Sequence, residues 1–399
     1  MDIKKHIVVA LFYFLLVALM GVLLRFFYVA PIPLNYKFIL HAHSHTALLG
    51  WVYLGLTTLI YKIFLASAER PKQYNRIFLF TNFCILGMLL TFPIQGYALF
   101  SIIFSTLFLF ASYWFTWFAF KFIPSDNKNR FSWKLIKTSL LYLVFSSLGP
   151  WAVGIVMATM GSESIWYKNA IYFYLHFQYN GWFIFALLGI LFYFFEEKDI
   201  HFNSEKLKSF YLLLNAGVIF TVFLSVLWSL PPTVFYLLGL AGAVAQVLAF
   251  HELYLLFKNY FVILTKSLQR SAYFLLQFAG IMLLLKLLMQ LFSAIPYFAR
   301  IAFQFQDFVI GYLHLVFLGI VITTMLAFLK YYELIRLPKS FVVFFFLAFF
   351  STEILIFYKA ISFWLGLPFL SNYYVILACF TCFFPVAIAI LFFRNLKIF

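Results

Sequence analysis

The sequence predicts an all-α polytopic membrane protein with twelve transmembrane helices and both termini cytoplasmic. Of the 399 residues, 66% are hydrophobic and only 10% are charged, whereas soluble domains usually carry about 25% charged residues. The apolar runs are about 20 residues or longer and show no strict alternation, which favours helices over a β-barrel. The third observation is the distribution of basic residues between the loops, which orients the helices.

Each predicted helix is long enough to cross a hydrocarbon core of ~30 Å. The first run is too long for the core of a signal peptide, and no small-residue cleavage site follows it, so it is expected to remain as a helix. No loop is long enough for a second domain and no strong internal repeat is apparent, so residues 1–399 are expected to form a single transmembrane bundle domain. The predicted helices cover residues 7–29, 39–61, 77–98, 99–120, 138–160, 167–194, 209–229, 233–257, 271–293, 306–329, 340–362 and 373–393.

The basic residues that give the chain its net charge of +16 are distributed unequally between the loops on the two sides of the membrane. Twenty-two lysines and arginines lie at the termini and in the loops on one side, and Arg25, Lys37, Lys168 and Arg300 lie on the other. An excess of basic residues marks the cytoplasmic side, so this charge is a topology signal. The expected partner is the lipid bilayer and not nucleic acid, and the expected location is the plasma (inner) membrane of a bacterium, with multiple passes.

Ionisable groups inside a membrane are costly and by default mark a functional site. Six of the eight histidines fall within predicted helices. At a rise of 1.5 Å per residue, His45, His176 and His314 lie about 9, 14 and 12 Å below the outer surface. Three helices therefore place a histidine in one layer of the outer half of the membrane, and His251 lies in the opposite half.

The second helix opens with His41-Ala-His43-Ser-His45. His41 and His45 share a helical face, because residues four apart are neighbours, and His43 points elsewhere. A neutral imidazole is the commonest protein ligand for haem iron, copper and zinc. Haem held between two helices takes one histidine from each, so this layer predicts a haem or metal site.

Three short segments carry a family resemblance. Tyr312–Gly319 looks like the His-x-His-Leu-x-Phe-x-Gly segment of the catalytic subunit of the haem-copper oxidase superfamily, with His314 on the second histidine. His176–Trp182 looks like the segment of its nitric oxide reductase branch whose histidine binds the non-haem metal. His45–Trp51 resembles the segment carrying the other low-spin haem ligand. Those subunits also have twelve helices with both termini inside.

The resemblance implies a haem b with His45 and His314 as axial ligands, and a second metal, copper or iron, bound by His176. His41 is the reserve haem ligand because it shares a helical face with His45, and His43 is a further candidate metal ligand. The implied function is electron transfer, or divergent reduction of oxygen or nitric oxide, with an electron donor or additional redox subunits as partners.

The sequence departs from the family in the catalytic ligands. Residues 209–229 contain no adjacent histidine pair, and Tyr312 stands where the family has the high-spin haem ligand. The binuclear centre is therefore expected to be incomplete, and oxidoreductase activity stays open. Two other functions remain: copper or zinc handling by the same histidines without haem, and a cofactor-free scaffold subunit or transporter. Lys286 and Glu353 lie mid-span, where an ion pair is their cheapest arrangement.

Overall fold

The computed structural model describes residues 2–397 and contains only helices and loops over that range. Twelve of its helices are long and apolar enough to cross a membrane, which confirms the predicted count and the all-α class. In chain order, α1 to α12 are Ile3–Phe26, Tyr36–Ala68, Pro71–Gln95, Leu99–Phe122, Phe131–Thr159, Ile165–Glu196, Ser204–Ser229, Thr233–Ser267, Arg270–Ser293, Asp307–Tyr331, Lys339–Leu365 and Tyr373–Leu396.

The tight joint between α3 and α4 lies where the sequence places it. Gly96 ends α3 with φ +60°, a conformation that costs glycine nothing because it lacks a Cβ. A Cβ at this position would also lie 2.4 Å from the ring of Phe38. Ser101 then closes the first turn of α4, since its Oγ accepts from the backbone N–H of Ala98 at 2.9 Å and donates to the Gly96 carbonyl at 2.6 Å.

Three helices are enclosed far more than the others. In their most apolar stretches, α2, α6 and α10 are 94%, 89% and 67% buried, and no other spanning helix exceeds 44%. Each of the three also changes from α-helix to π-helix part-way along. These π-helical segments are Thr46–Tyr53, Phe177–Phe183 and Leu315–Ile322, and α2 has a second one at Tyr61–Leu65.

The chain forms two compact units. The first comprises residues 2–124 and 324–397. Here α2 packs against α1 and α3, and Phe14 of α1 stacks on Trp51 of α2 with ring centroids 4.6 Å apart and planes 4° apart. Tyr61 of α2 stacks on Tyr74 of α3 at 3.8 Å in the same way. Flat aromatic pairs thus fill the space between these helices.

The second unit comprises residues 125–323. Its helices approach closely at glycines. A Cβ at Gly217 of α7 would lie 2.4 Å from Gln246 Cγ, and one at Gly242 of α8 would lie 2.5 Å from the backbone nitrogen of Thr221. The α-helical part of α7 ends at Thr221, and residues Val222–Ser229 continue as a 3₁₀-helix. The prediction of one bundle domain for the whole chain stays a prediction.

Candidate functional site

The three predicted ligand histidines occupy equivalent positions in their helices. His45, His176 and His314 are each the last residue before a π-helical segment. In each segment a glycine follows five residues after the histidine, which gives His-x4-Gly three times. The repeat is too short to detect in the sequence alone, and the π-helices reveal it. Because π-helical segments occur frequently at functional sites, this position is the strongest candidate in the chain.

The ring of His45 is oriented by its own helix. Its Nδ1 lies 2.9 Å from the carbonyl oxygen of His41, and a carbonyl can only accept, so Nδ1 carries the proton. The lone pair is therefore on Nε2, which lies 3.3 Å from the hydroxyl of Tyr97. Histidines that bind metals almost always donate their other ring N–H to a carbonyl, carboxylate or water. His45 therefore fits the requirements of an iron ligand through Nε2.

His41 and His43 lie on different surfaces of α2, as their helical spacing predicts. His41 contacts the Tyr97 ring edge-on at 4.6 Å, on the side of His45. The Nδ1 of His43 lies 3.0 Å from the Val17 carbonyl, so this side chain faces α1 instead. His41 and His45 thus belong to one surface of α2, and His43 belongs to another.

His176 is buried and has partners at both ring nitrogens. Its Nε2 donates to the carbonyl of Val218 at 2.8 Å. That carbonyl lies in the last turn of the α-helical part of α7, where it also accepts from the Thr221 hydroxyl at 3.4 Å. The Nδ1 accepts, and it lies 3.3 Å from the amide nitrogen of Asn180 and 3.3 Å from the Ser225 hydroxyl.

Lys286, for which the sequence suggests an ion pair, is buried in the second unit. The Lys286 ammonium donates to Gln246 Oε1 at 3.0 Å, and Gln246 Nε2 donates to the Thr221 hydroxyl at 2.9 Å. The expected partner of Lys286, Glu353, belongs to the first unit, and the structure gives Lys286 the amide of Gln246. Gln246 is not among the predicted site residues; in the sequence it is one polar residue within the apolar run of residues 234–250.

Asn180, Gln246 and Lys286 line a cavity in the second unit. The cavity has a volume of about 30 Å³, which is enough for about two water molecules. Both ring nitrogens of His176 have partners, as both ring nitrogens of His45 do. The second metal at His176, copper or iron, stays a prediction.

His314 is half-buried at the end of the α-helical part of α10 and belongs to the second unit, whereas His45 belongs to the first. The axial pair His45–His314 stays a prediction. Over residues 2–397, no three histidine, cysteine, aspartate or glutamate side chains are grouped so as to hold a metal ion. The metal roles of His43 and His176 also stay predictions.

Comparison with known protein families and with curated protein sequences finds no match to this chain.

Proposed function

We propose that this chain is a haem-binding redox protein of the membrane, with one haem b held by His45 and His314 and with His41 as the reserve ligand. The observation that carries the proposal is the ring of His45. Its Nδ1–H donates to the His41 carbonyl, which leaves Nε2 as the atom that would coordinate iron in place of its contact with the Tyr97 hydroxyl. When bound, the iron would supply one-electron transfer.

The resemblance to the haem-copper oxidase catalytic subunit supports the same function. The segments around His45 and His314 match that superfamily best, whereas the ligands of its catalytic metal pair are missing. Electron transfer is therefore favoured over reduction of oxygen or nitric oxide. The proposed location is the inner membrane of a bacterium, and the proposed partners are a redox subunit or an electron donor.

Copper or zinc handling is the second candidate. It is supported by the two imidazoles of His41 and His45, which both contact Tyr97 on one side of α2. Two imidazoles are a common start for a copper or zinc site, and further ligands would complete it.

Absorbance spectra of the purified protein, oxidised and then reduced, test the first proposal. The wild type from a haem-replete host should show a low-spin b-type spectrum, and metal analysis should find iron. His45→Ala should open one axial position or lose the haem. His251→Ala is the matched control, since His251 is an exposed histidine of α8. Wild-type protein with copper or zinc but no haem would support the second candidate and reject the first.

A further inference from the structure

The helix before each of two histidine-bearing helices supplies a tyrosine that packs on the glycine of the His-x4-Gly motif. In the first unit, a Cβ on Gly50 would lie 3.0 Å from both Cβ and Cγ of Tyr13. In the second unit, a Cβ on Gly181 would lie 2.7 and 2.6 Å from the same two atoms of Tyr142. The base of a tyrosine ring thus covers the π-helical glycine in both units.

The helix after each histidine-bearing helix receives the hydroxyl of that tyrosine. Tyr13 donates to Asn82 Oδ1 of α3 at 2.7 Å, and Tyr142 donates to Asn215 Oδ1 of α7 at 3.0 Å. Each tyrosine therefore connects three consecutive helices: it lies on the first, packs on the glycine of the second and bonds to the third. Residue types, contacting atoms and chain order are the same in both cases.

The third group of helices has only part of this arrangement. His314 and Gly319 repeat the motif in α10. The sequence of α11 contains no asparagine, and α9 has a tyrosine only at Tyr273, in its first turn. The complete set of contacts therefore accompanies His45 and His176 and not His314.

We infer that α1–α3 and α5–α7 are two copies of one three-helix structural repeat. In this repeat, Tyr13–Asn82 and Tyr142–Asn215 are positioning pairs that fix the π-helical segments after His45 and His176. A π-helical turn leaves the regular hydrogen-bond spacing, so its position depends on packing from outside the helix. The tyrosine supplies that packing at the glycine, and the asparagine fixes the tyrosine.

The role of the first pair in ligand placement rests on the proposed haem function, whereas the existence of the repeat does not. Two sets of measurements separate them.

The first set tests the pairs by thermal unfolding of the full-length protein in detergent. Tyr13→Phe, Asn82→Leu and the double variant form one cycle, and Tyr142→Phe, Asn215→Leu and their double variant form the other. Each single change should lower the melting temperature by ~2–4 °C, as expected for a lost buried hydrogen bond. Each double variant should lose about as much as its asparagine single variant, because the tyrosine change removes a bond that is already lost. Asn215→Leu should cost more than Tyr142→Phe, since it also removes the bond from the Asn215 amide to the Tyr211 carbonyl. Tyr28→Phe is the control, since this tyrosine is 53% exposed.

Additive losses in either cycle would overturn the inference, because the two side chains would then act independently. A variant that fails to fold does not remove the test. In that case Tyr13→Phe and Tyr142→Phe, which remove only the hydroxyl, are measured alone, and an unchanged melting temperature in either would overturn the inference.

The second set measures haem absorbance and midpoint potential. Gly50→Ala forces Tyr13 away from α2, so it should shift or weaken the low-spin spectrum at matched haem content. Gly181→Ala should lower the melting temperature and leave that spectrum unchanged, because His176 is not a proposed axial ligand. Identical spectra in Gly50→Ala and wild type would overturn the positioning role. Wild-type protein without haem would reject the proposed function, and the unfolding cycles would still decide the repeat.

Discussion

Which ring nitrogen a histidine leaves available decides what it can bind, and His45 and His176 differ in this although they occupy equivalent positions. His45 donates from Nδ1 to a carbonyl of its own helix, so its Nε2, at the far end of the ring, is the acceptor and lies 3.3 Å from the Tyr97 hydroxyl. His176 donates from Nε2 to another helix, so its Nδ1 faces Asn180 and Ser225 close to its own backbone. The same motif therefore leaves the two histidines with opposite ring nitrogens as acceptors and places His176 within a polar cluster.

The outcome for His43 tests the separation of the two surfaces of α2. His43→Ala removes a side chain that faces the Val17 carbonyl on α1, away from His45. We expect the reduced absorbance spectrum of the purified variant to match the wild type. The comparison is His314→Ala, which should lose an axial bond and leave an open, ligand-binding iron or no haem. A low-spin spectrum that is unaltered in His314→Ala would contradict the axial assignment.

The pairing of Lys286 with Gln246 gives a second expectation at the residue scale. Gln246→Leu removes the hydrogen-bond acceptor of a buried ammonium, and it should lower the free energy of unfolding by about 2–3 kcal/mol. Adding Lys286→Met to that variant should restore much of the lost free energy of unfolding, since replacing both partners by apolar groups leaves no buried ammonium without an acceptor. Unfolding in detergent measures all three proteins. A double variant that is less stable than Gln246→Leu alone would count against the pair.

At the scale of helices, much of the fold follows from the sequence. The ends of α4, α6, α9 and α10 lie within about two residues of their predicted positions, because long apolar runs bounded by charged loops leave little freedom. The π-helical segments and the choice of Gln246 as partner of Lys286 do not follow in this way. Both depend on which helices are neighbours, and hydropathy gives the depth of a residue but not its neighbour.

Close helix packing gives a prediction at this scale. A Cβ on Gly242 of α8 would lie 2.5 Å from the backbone nitrogen of Thr221 and 2.7 Å from the carbonyl carbon of Phe220. Backbone atoms cannot rotate away, so Gly242→Ala should push α7 and α8 apart and cost about 1–3 kcal/mol of stability. Gly280→Ala in α9 is the matched control, because a Cβ there meets nothing within 4 Å. Equal melting temperatures for the two variants would show that α7 and α8 can separate freely.

Residues 2–397 contain twelve helices that are long and apolar enough to span a membrane, whereas their direction through the membrane is a prediction from charge. Twenty-two basic residues lie on the side of the termini and four on the other, a bias that points to cytoplasmic termini. The direction of the helices also determines in which half of the bilayer His45, His176 and His314 lie, and cytoplasmic termini would place them in the outer half. Reversing the chain would move that layer to the cytoplasmic half.

Reporter fusions in a bacterial host measure this direction. Green fluorescent protein fused after residue 397 should fluoresce and alkaline phosphatase fused there should be inactive, because the phosphatase folds only outside the cytoplasm. The matched control is a fusion in the short loop between α11 and α12, at Leu370, where the phosphatase should be active. This loop carries no basic residue between Gly366 and Asn372, as expected for the outer side. Phosphatase activity at the C-terminus would invert the topology and place the histidine layer on the cytoplasmic side, where a cytoplasmic electron donor would reach it directly.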